Sequence, residues 1–121
     1  KIPLLKVPYG TIINLFSGEF MNIVTKTTQK YAKARQLFLD SDFCDNNNKP
    51  FIWVCVDDDS SEPMFSLFAN DDGSFSYRGN IWLSDSTREE IPAFIRDEKH
   101  LRSVLAFVAQ DMKPQIARCF N

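Results

Sequence analysis

Three consecutive aspartates follow an apolar stretch in the middle of the chain. Asp57, Asp58 and Asp59 come directly after residues 51–56, and Glu62 lies close behind them. Carboxylates at the end of a strand can hold Mg²⁺ for phosphoryl transfer, because hard cations prefer oxygen ligands. No downstream lysine or acidic partner completes such a motif, so a solvated acidic loop is the preferred interpretation. Metal-dependent phosphoryl transfer is therefore the least favoured of three functional hypotheses.

A second possible chemistry needs a cysteine thiol beside a histidine. His100 is the single histidine, and the cysteines are Cys44, Cys55 and Cys119. Nucleophilic catalysis would require His100 within hydrogen-bond distance of one thiol, and nothing in the sequence enforces that proximity. There is no Cys-x-x-Cys pair, glycine-rich phosphate loop or His-Glu-x-x-His motif. We therefore predict a protein that is not an enzyme and that uses no metal or cofactor.

Basic side chains recur at the spacing of one helix face. Lys26, Lys30 and Lys33 are four and three residues apart, which places them together on a helix surface. With Arg35 they could contact the phosphates of a nucleic acid, while Tyr31 stacks on a base. A solvated lysine face is the ordinary alternative. Nucleic-acid binding is the second hypothesis.

Charge is sorted along the chain, although the formal net charge is only −2. Residues 1–39 carry six basic and one acidic side chain, residues 40–98 four basic and fourteen acidic, and residues 99–121 four basic and one acidic. Faces of opposite sign favour oriented docking on a charged partner. The leading hypothesis is a non-enzymatic module that binds another protein, as inhibitors, immunity proteins, chaperones and adaptors do. Its predicted contact residues are Asp57, Asp58, Asp59, Glu62, Asp71, Asp72 and Trp82, with Phe94 as a further aromatic anchor.

Length and composition indicate a single soluble domain. The 121 residues, 44% of them apolar and 25% charged, suffice for one hydrophobic core. No apolar stretch is long enough to span a membrane, and no signal-peptide pattern is present. An odd number of cysteines without metal-site spacing favours a reducing, intracellular compartment, the cytoplasm. No membrane partner is expected, and the sequence does not indicate an oligomeric state.

Hydrophobic periodicity predicts the elements that position these residues. Residues 1–10 contain two prolines and predict an extended segment. Apolar side chains then recur at steps of three and four, which predicts helical structure over residues 11–39. Ser17 and Gly18 interrupt that pattern, so a short helix is followed by a long amphipathic helix from about residue 19 to residue 39.

The sheet is predicted over residues 51–83. Its first segment, residues 51–56, is rich in β-branched and aromatic residues and is typical of an interior strand. A hairpin turn is predicted over residues 70–73, a bulge at Gly79, and one helical turn begun by a capping box at Ser86.

Residues 97–119 predict a C-terminal amphipathic helix that is capped by Asp97 and kinked or restarted at Pro114. The complete prediction is one α+β domain over residues 1–121. It has a long N-terminal amphipathic helix, a three- or four-stranded, mainly antiparallel sheet and a C-terminal amphipathic helix.

Overall fold

Five antiparallel strands form the body of the described chain. The structure, a computed structural model, describes residues 23–44, 49–58 and 62–120. Each strand pairs with the next one along the chain, so the sheet order is β1-β2-β3-β4-β5. The elements are α1 (Lys26–Lys33), β1 (Leu37–Cys44), β2 (Lys49–Val56), β3 (Phe65–Ala69), β4 (Phe75–Asn80), α2 (Asp85–Glu90), β5 (Phe94–Ile95), α3 (Glu98–Asp111) and α4 (Lys113–Arg118).

The prediction of a helix up to residue 39 is wrong at the C-terminal end of that helix. Helix α1 ends at Lys33, and residues 37–39 belong to strand β1. Gln36, at φ 65°, lies in the turn between them. Beyond that turn Leu37 and Leu39 are buried while Phe38 and Asp40 are exposed, because the period has changed from 3.6 to 2. The segment 1–10, predicted to be extended, and residues 11–22, predicted to be helical, lie outside the described residues.

The α+β class and the antiparallel pairing are confirmed, but the sheet has five strands instead of three or four. The two additional strands are the edges, β1 and β5, and both lie outside the predicted range 51–83. Strand β5 contains two residues, Phe94 and Ile95, which pair with Ser76 and Phe75. A segment this short is too brief to show alternation, so periodicity could not reveal it.

The predicted hairpin and bulge are confirmed. Asp72 accepts hydrogen bonds from the Ser74 N–H at 3.0 Å and from the Ser74 hydroxyl, and these bonds hold the pKa of Asp72 below its usual value. Gly73 adopts φ 88°, a conformation that favours glycine. Ser66 pairs with Gly79 and Leu67 with Tyr77, so Arg78 is the extra residue of a bulge in β4.

The C-terminal helical prediction is also confirmed, as two helices. Asp97 caps α3 by accepting a hydrogen bond from the His100 N–H at 2.8 Å. Pro114 lies in the first turn of α4, where its missing N–H costs no intrahelical bond. The cap of α2 differs from the prediction, because Ser84 and not Ser86 accepts from the Thr87 N–H.

The hydrophobic core lies between one face of the sheet and the helices. Alternation along each strand sends every second side chain into this layer. Its fully buried members are Leu37, Ile52, Val54, Phe65, Leu67 and Ile95 of the strands and Leu101, Leu105 and Val108 of α3. We call the opposite side of the sheet the open face, since the described helices pack on the core side.

Glu98 of α3 caps the N-terminus of α1. The Thr25 N–H donates to both carboxylate oxygens of Glu98, at 3.2 and 3.1 Å, and the Thr25 hydroxyl donates at 2.7 Å. The buried Thr28 hydroxyl also donates to Glu98 and accepts from Arg102 Nη1 at 2.9 Å. Thr25 makes no side-chain cap of its own. The carboxylate therefore satisfies helix-end donors that would otherwise lack partners and ties α1 to α3.

Glu98→Ala tests this interhelical cap. Losing the acceptor should lower the free energy of unfolding by about 1–2 kcal/mol, the usual cost of removing a helix cap. Urea unfolding followed by circular dichroism gives the value. Glu89→Ala, at an exposed position of α2, is the control and should change it by less than about 0.5 kcal/mol. Equal effects of the two substitutions would contradict a capping role for Glu98.

Candidate functional site

The open face carries aromatic and charged side chains side by side. The strand register places the even-numbered residues of β1 and the odd-numbered residues of β2 on this face. Its members are Phe38, Asp40, Asp42, Lys49, Phe51, Trp53, Cys55, Ser66, Phe68, Ser76, Arg78 and Phe94. Phe38, Asp40, Asp42 and Phe94 are its exposed members, and a sheet face of this composition differs from an ordinary polar surface.

Arg78 lies at the centre of the open face, aimed there by the bulge in β4. Its guanidinium carbon is 3.9 Å from the centroid of the Phe51 ring, 5.3 Å from that of Trp53 and 5.6 Å from that of Phe68. Its Nη1 donates to Ser66 Oγ at 3.2 Å. These contacts cover the Phe51 ring, which is only 4% exposed. The guanidinium thus holds the aromatic side chains in place.

Acidic side chains lie along strand β1, beside these rings. Asp40 is directly opposite Trp53, and Asp42 is directly opposite Phe51. Both aspartates are exposed, and Phe38, the preceding residue of the same row, is 50% exposed. Cross-strand neighbours have Cβ atoms about 5 Å apart. A lysine or arginine side chain lying over Trp53 can therefore reach the Asp40 carboxylate and the indole ring together.

The same acidic groups affect the Cys55 thiol, which lies opposite Phe38. Burial raises the pKa of Cys55 to about 11, and the charges of Asp40 and Asp58 add to that rise. A thiol with this pKa stays protonated at neutral pH and is a poor nucleophile. The raised pKa also indicates that this end of the open face is electronegative.

The Cys55 pKa tests the electrostatics of this face. In a protein with Cys44→Ser and Cys119→Ser, the rate of Cys55 alkylation should rise with pH toward a midpoint near 11. Asp40→Asn should lower that midpoint, because the thiolate loses a repelling charge. Glu89→Gln is the matched control and should leave it unchanged. A midpoint that does not move in Asp40→Asn would contradict the proximity of Asp40 to the thiol.

The acids predicted from the sequence lie at two opposite ends of the sheet. Asp57 and Asp58 follow β2, and Glu62 precedes β3 at the same end. Asp71 and Asp72 lie in the β3–β4 turn at the other end. The structure thus does not unite them in one patch. Asp59 lies outside the described residues.

The Trp82 side chain makes contacts within the fold. Its indole Nε1 donates to the Glu62 carbonyl oxygen at 2.8 Å, and the half-buried ring packs against the core. Phe94, in contrast, is 53% exposed on the open face. Of the two aromatic anchors considered from the sequence, Phe94 is the one whose ring is available at the surface.

The predicted basic residues lie on and just after α1, on the core side of the sheet. Lys26, Lys30 and Lys33 are exposed, and Lys33 Nζ forms an ion pair with Asp57 Oδ2 at 2.9 Å. The Arg35 guanidinium carbon is 3.5 Å from the centroid of the Tyr31 ring, and its Nη1 donates to the Tyr31 carbonyl at 3.1 Å. Lys33 and Arg35 therefore already have partners within the fold.

Arg35 also lines a groove of about 260 Å³ on this side of the molecule. The groove runs between the turn after α1 and the helices α3 and α4. Its other lining residues are Ala34, Gln36, Ala106, Ala109, Gln110, Lys113 and Ile116. It does not adjoin the open face, and three of its eight lining residues are alanines.

The described residues contain no cluster of side chains that supports the catalytic hypotheses. Within residues 23–44, 49–58 and 62–120, no three His, Cys, Asp or Glu side chains cluster as a metal site would require. His100 Nδ1 accepts a hydrogen bond from the Arg96 N–H at 3.0 Å. No helix in this part of the chain is long and apolar enough to cross a membrane. Because Asp59 is not described, the phosphoryl-transfer hypothesis stays a prediction.

Sequence reasoning missed the acidic row of β1. Residues 37–42 are three apolar residues followed by three polar ones, so no alternation of apolar and polar residues marked a strand here. Phe38 also fitted the end of the preceding helical pattern, and that interpretation concealed the strand. Arg78 follows Phe75 and Tyr77 in the sequence, but those two side chains lie on the core side of β4. Its aromatic partners come from β2 and β3 instead.

Comparisons of this chain with protein-family models, with curated proteins and with solved structures find no match. No relative therefore suggests a ligand or a reaction. The function has to be argued from the open face, from the charges around it and from the contacts given above.

Proposed function

We propose that this chain is a non-enzymatic protein-binding module that docks a basic segment of a partner protein on its open face. The observation that carries this proposal is the pairing of exposed Asp40 with Trp53 across two hydrogen-bonded strands. Asp42 lies opposite Phe51 in the same way, although Arg78 already covers that ring. Phe38 and Phe94 supply exposed aromatic surface at the two edges of the face.

The chemistry of this face suits lysine and arginine side chains. An exposed ion pair contributes only about 0.2–1 kcal/mol, and a cation over an exposed aromatic ring about 0.5–1 kcal/mol. Two carboxylates and the neighbouring Trp53 ring can combine such contributions. Aromatic anchors are also the side chains that contribute most at protein interfaces.

The cations of the open face do not cancel the acidic row. Arg78 lies over Phe51, and Lys49 Nζ is 5.1 Å from the centroid of the Phe68 ring. Both cations are thus placed against aromatic rings, and Arg78 reaches the centre of the face from β4. The acidic side chains Asp40 and Asp42 line the opposite edge, on β1, where a partner first meets the sheet.

The wider charge distribution supports an oriented encounter. Asp57, Asp58 and Glu62 lie at the end of the sheet where Phe38 and Cys55 also lie. The exposed lysines of α1 lie on the helical side. A basic partner would be attracted to one side of the molecule and repelled from the other, which raises the association rate and sets the orientation.

A capped peptide in which lysine and valine alternate is a direct probe of this surface. We expect the double variant Asp40→Asn/Asp42→Asn to bind it about tenfold more weakly than the unchanged protein, because two charge contacts are lost. Isothermal titration calorimetry gives the dissociation constants. Glu89→Gln, which removes one charge from α2, is the control and should bind the peptide as the unchanged protein does.

A second peptide, with glutamate in place of lysine, separates charge recognition from adhesion to aromatic surface. It should not bind, and the lysine peptide should bind more weakly as salt is added. Equal binding of the two peptides, or an unchanged dissociation constant in the double aspartate variant, would contradict the proposal.

Nucleic-acid binding by α1 is the second candidate, favoured by the exposure of Lys26, Lys30 and Lys33 on one helix. Fluorescence anisotropy with a short labelled single strand tests it. Binding that falls steeply with salt and is lost in the triple variant Lys26→Ala/Lys30→Ala/Lys33→Ala would support this candidate. No change in anisotropy at low salt would exclude it.

A further inference from the structure

We infer that the basic partner segment joins the sheet as an added strand along the outer edge of β1. This inference rests on the proposed function and goes beyond it, because it gives the bound segment a backbone conformation and a residue pattern. Strand addition supplies affinity through main-chain hydrogen bonds and specificity through alternate side chains. Three observations point to strand addition. They are the alternation along β1 of residues that bond to β2 with residues that do not, the position of β1 at the edge of the sheet, and the negative charge of β1.

The hydrogen bonds around β1 show which residues face outward. The Asp57 N–H donates to the Gln36 carbonyl at 2.8 Å, which makes Gln36 and Asp57 a hydrogen-bonded pair next to Leu37 and Val56. In an antiparallel ladder such pairs alternate with non-bonded ones. The even-numbered residues of β1 therefore bond to β2, and the odd-numbered residues Leu39 and Ser41 direct their N–H and C=O groups away from it.

Contacts of β2 agree with this assignment of bonded and non-bonded pairs. Val54, opposite Leu39, accepts from the Met64 N–H at 2.7 Å, so its carbonyl points to the β3 side. Pro50, which has no N–H, lies opposite Phe43 in a pair that needs no bond between β1 and β2. The Phe43 N–H points away from β2 and donates to Asp42 Oδ1 at 2.8 Å.

The outer edge of β1 is open within the described part of the chain. Strand β1 is the first in the sheet order, and residues 23–44, 49–58 and 62–120 place no strand beyond it. Leu37 is fully buried, so its outward groups are covered, whereas Ser41 is partly exposed. Leu39 retains 9% exposure, so residues 39–42 are where another strand can pair.

The side chains of β1 select the residues of the added strand. The main-chain groups of Asp40 and Asp42 bond to β2. In a ladder with an added antiparallel strand, these two residues would therefore occupy non-bonded positions. At such positions facing Cα atoms are only about 4.5 Å apart and side chains are closest. Lysine or arginine at every second residue of the newcomer would then face both carboxylates. This is the pattern that cross-strand charge pairing favours.

Charge also argues against a second copy of β1 as the occupant. An antiparallel β1–β1 pair centred on Ser41 would place Asp40 of each copy opposite Asp42 of the other. Like charges directly opposite one another destabilise a strand pair. Acidic residues on an edge strand also hinder nonspecific pairing. This register is therefore unfavourable for a second copy, whereas a basic strand would meet opposite charges.

Backbone N-methylation of the lysine–valine peptide tests the inference. In an antiparallel added strand, the valine N–H groups point to β1 and the lysine N–H groups point away from it. A peptide N-methylated at its central valine should bind at least tenfold more weakly than the unmodified peptide. One N-methylated at its central lysine should bind nearly as well. The reverse preference would indicate parallel addition and would also support an added strand.

Equal binding by both N-methylated peptides, or equal loss in both, would overturn strand addition. If, in that case, the unmodified peptide still binds the Asp40→Asn/Asp42→Asn variant more weakly, the proposal of docking on the open face remains and only strand addition is overturned. No binding of the unmodified peptide at all would overturn both proposals.

Amide hydrogen exchange gives a readout from the protein side. The Leu39 and Ser41 amides should exchange quickly in the free protein and slow down when the peptide is added, because they gain hydrogen-bond acceptors. The Asp40 amide, already bonded to β2, should change little. Leu39 and Ser41 amides that are already protected without peptide would contradict an available edge.

Discussion

The pairing of β1 with β2 over eight residues is the constraint on which the rest of the structure depends. Side chains alternate strictly along a strand, and a shift by one residue would move all of them to the other face. Leu37 and Leu39 are buried in the core, and this sets the register. Asp40 and Asp42 must then lie on the open face, opposite Trp53 and Phe51, while their main chains bond to β2.

The helices complete this division of the sheet. Thr25 and Thr28 are joined to Glu98, so α1 is held against α3 on the core side. The helices cover the apolar layer, and the lysines of α1 point to solvent on that side. Aromatic and acidic side chains remain on the other side. Asp40 and Asp42 thus lie on one side of the sheet and the lysines of α1 on the other, although Lys49 and Arg78 also lie on the open face and Lys33 forms an ion pair with Asp57.

Much of the fold could be predicted from the sequence, because local signals agreed with the tertiary structure. The turn at Asp72 and Gly73, the bulge beside Gly79 and the cap at Asp97 depend on residues a few positions apart. The helix-to-strand change near Gln36 did not follow from local signals. Phe38 fits either period, and burial of Leu37 against the core decides between them. Strand β5 exists through its pairing with Phe75 and Ser76, which no local pattern encodes.

The candidate site was harder to predict, since it depends on cross-strand neighbours. Asp40 and Trp53 are distant in sequence, and only the register places one opposite the other. Arg78 reaches Phe51 because a bulge turns it onto the open face. The acids that stood out in sequence, such as Asp57 and Asp72, have partners in Lys33 and Ser74. The consecutive aspartates at 57–59 were conspicuous in the sequence, but the alternating pair Asp40 and Asp42 lies on the open face.

An NMR titration of isotope-labelled protein with the lysine–valine peptide tests most directly whether the open face is the binding surface. If it is, the amide signals of Phe38, Asp40, Trp53 and their neighbours shift in proportion to saturation, and those of α1 and α3 stay in place. Shifts confined to Lys26–Lys33, or spread evenly over the molecule, would contradict the assignment of function to this face.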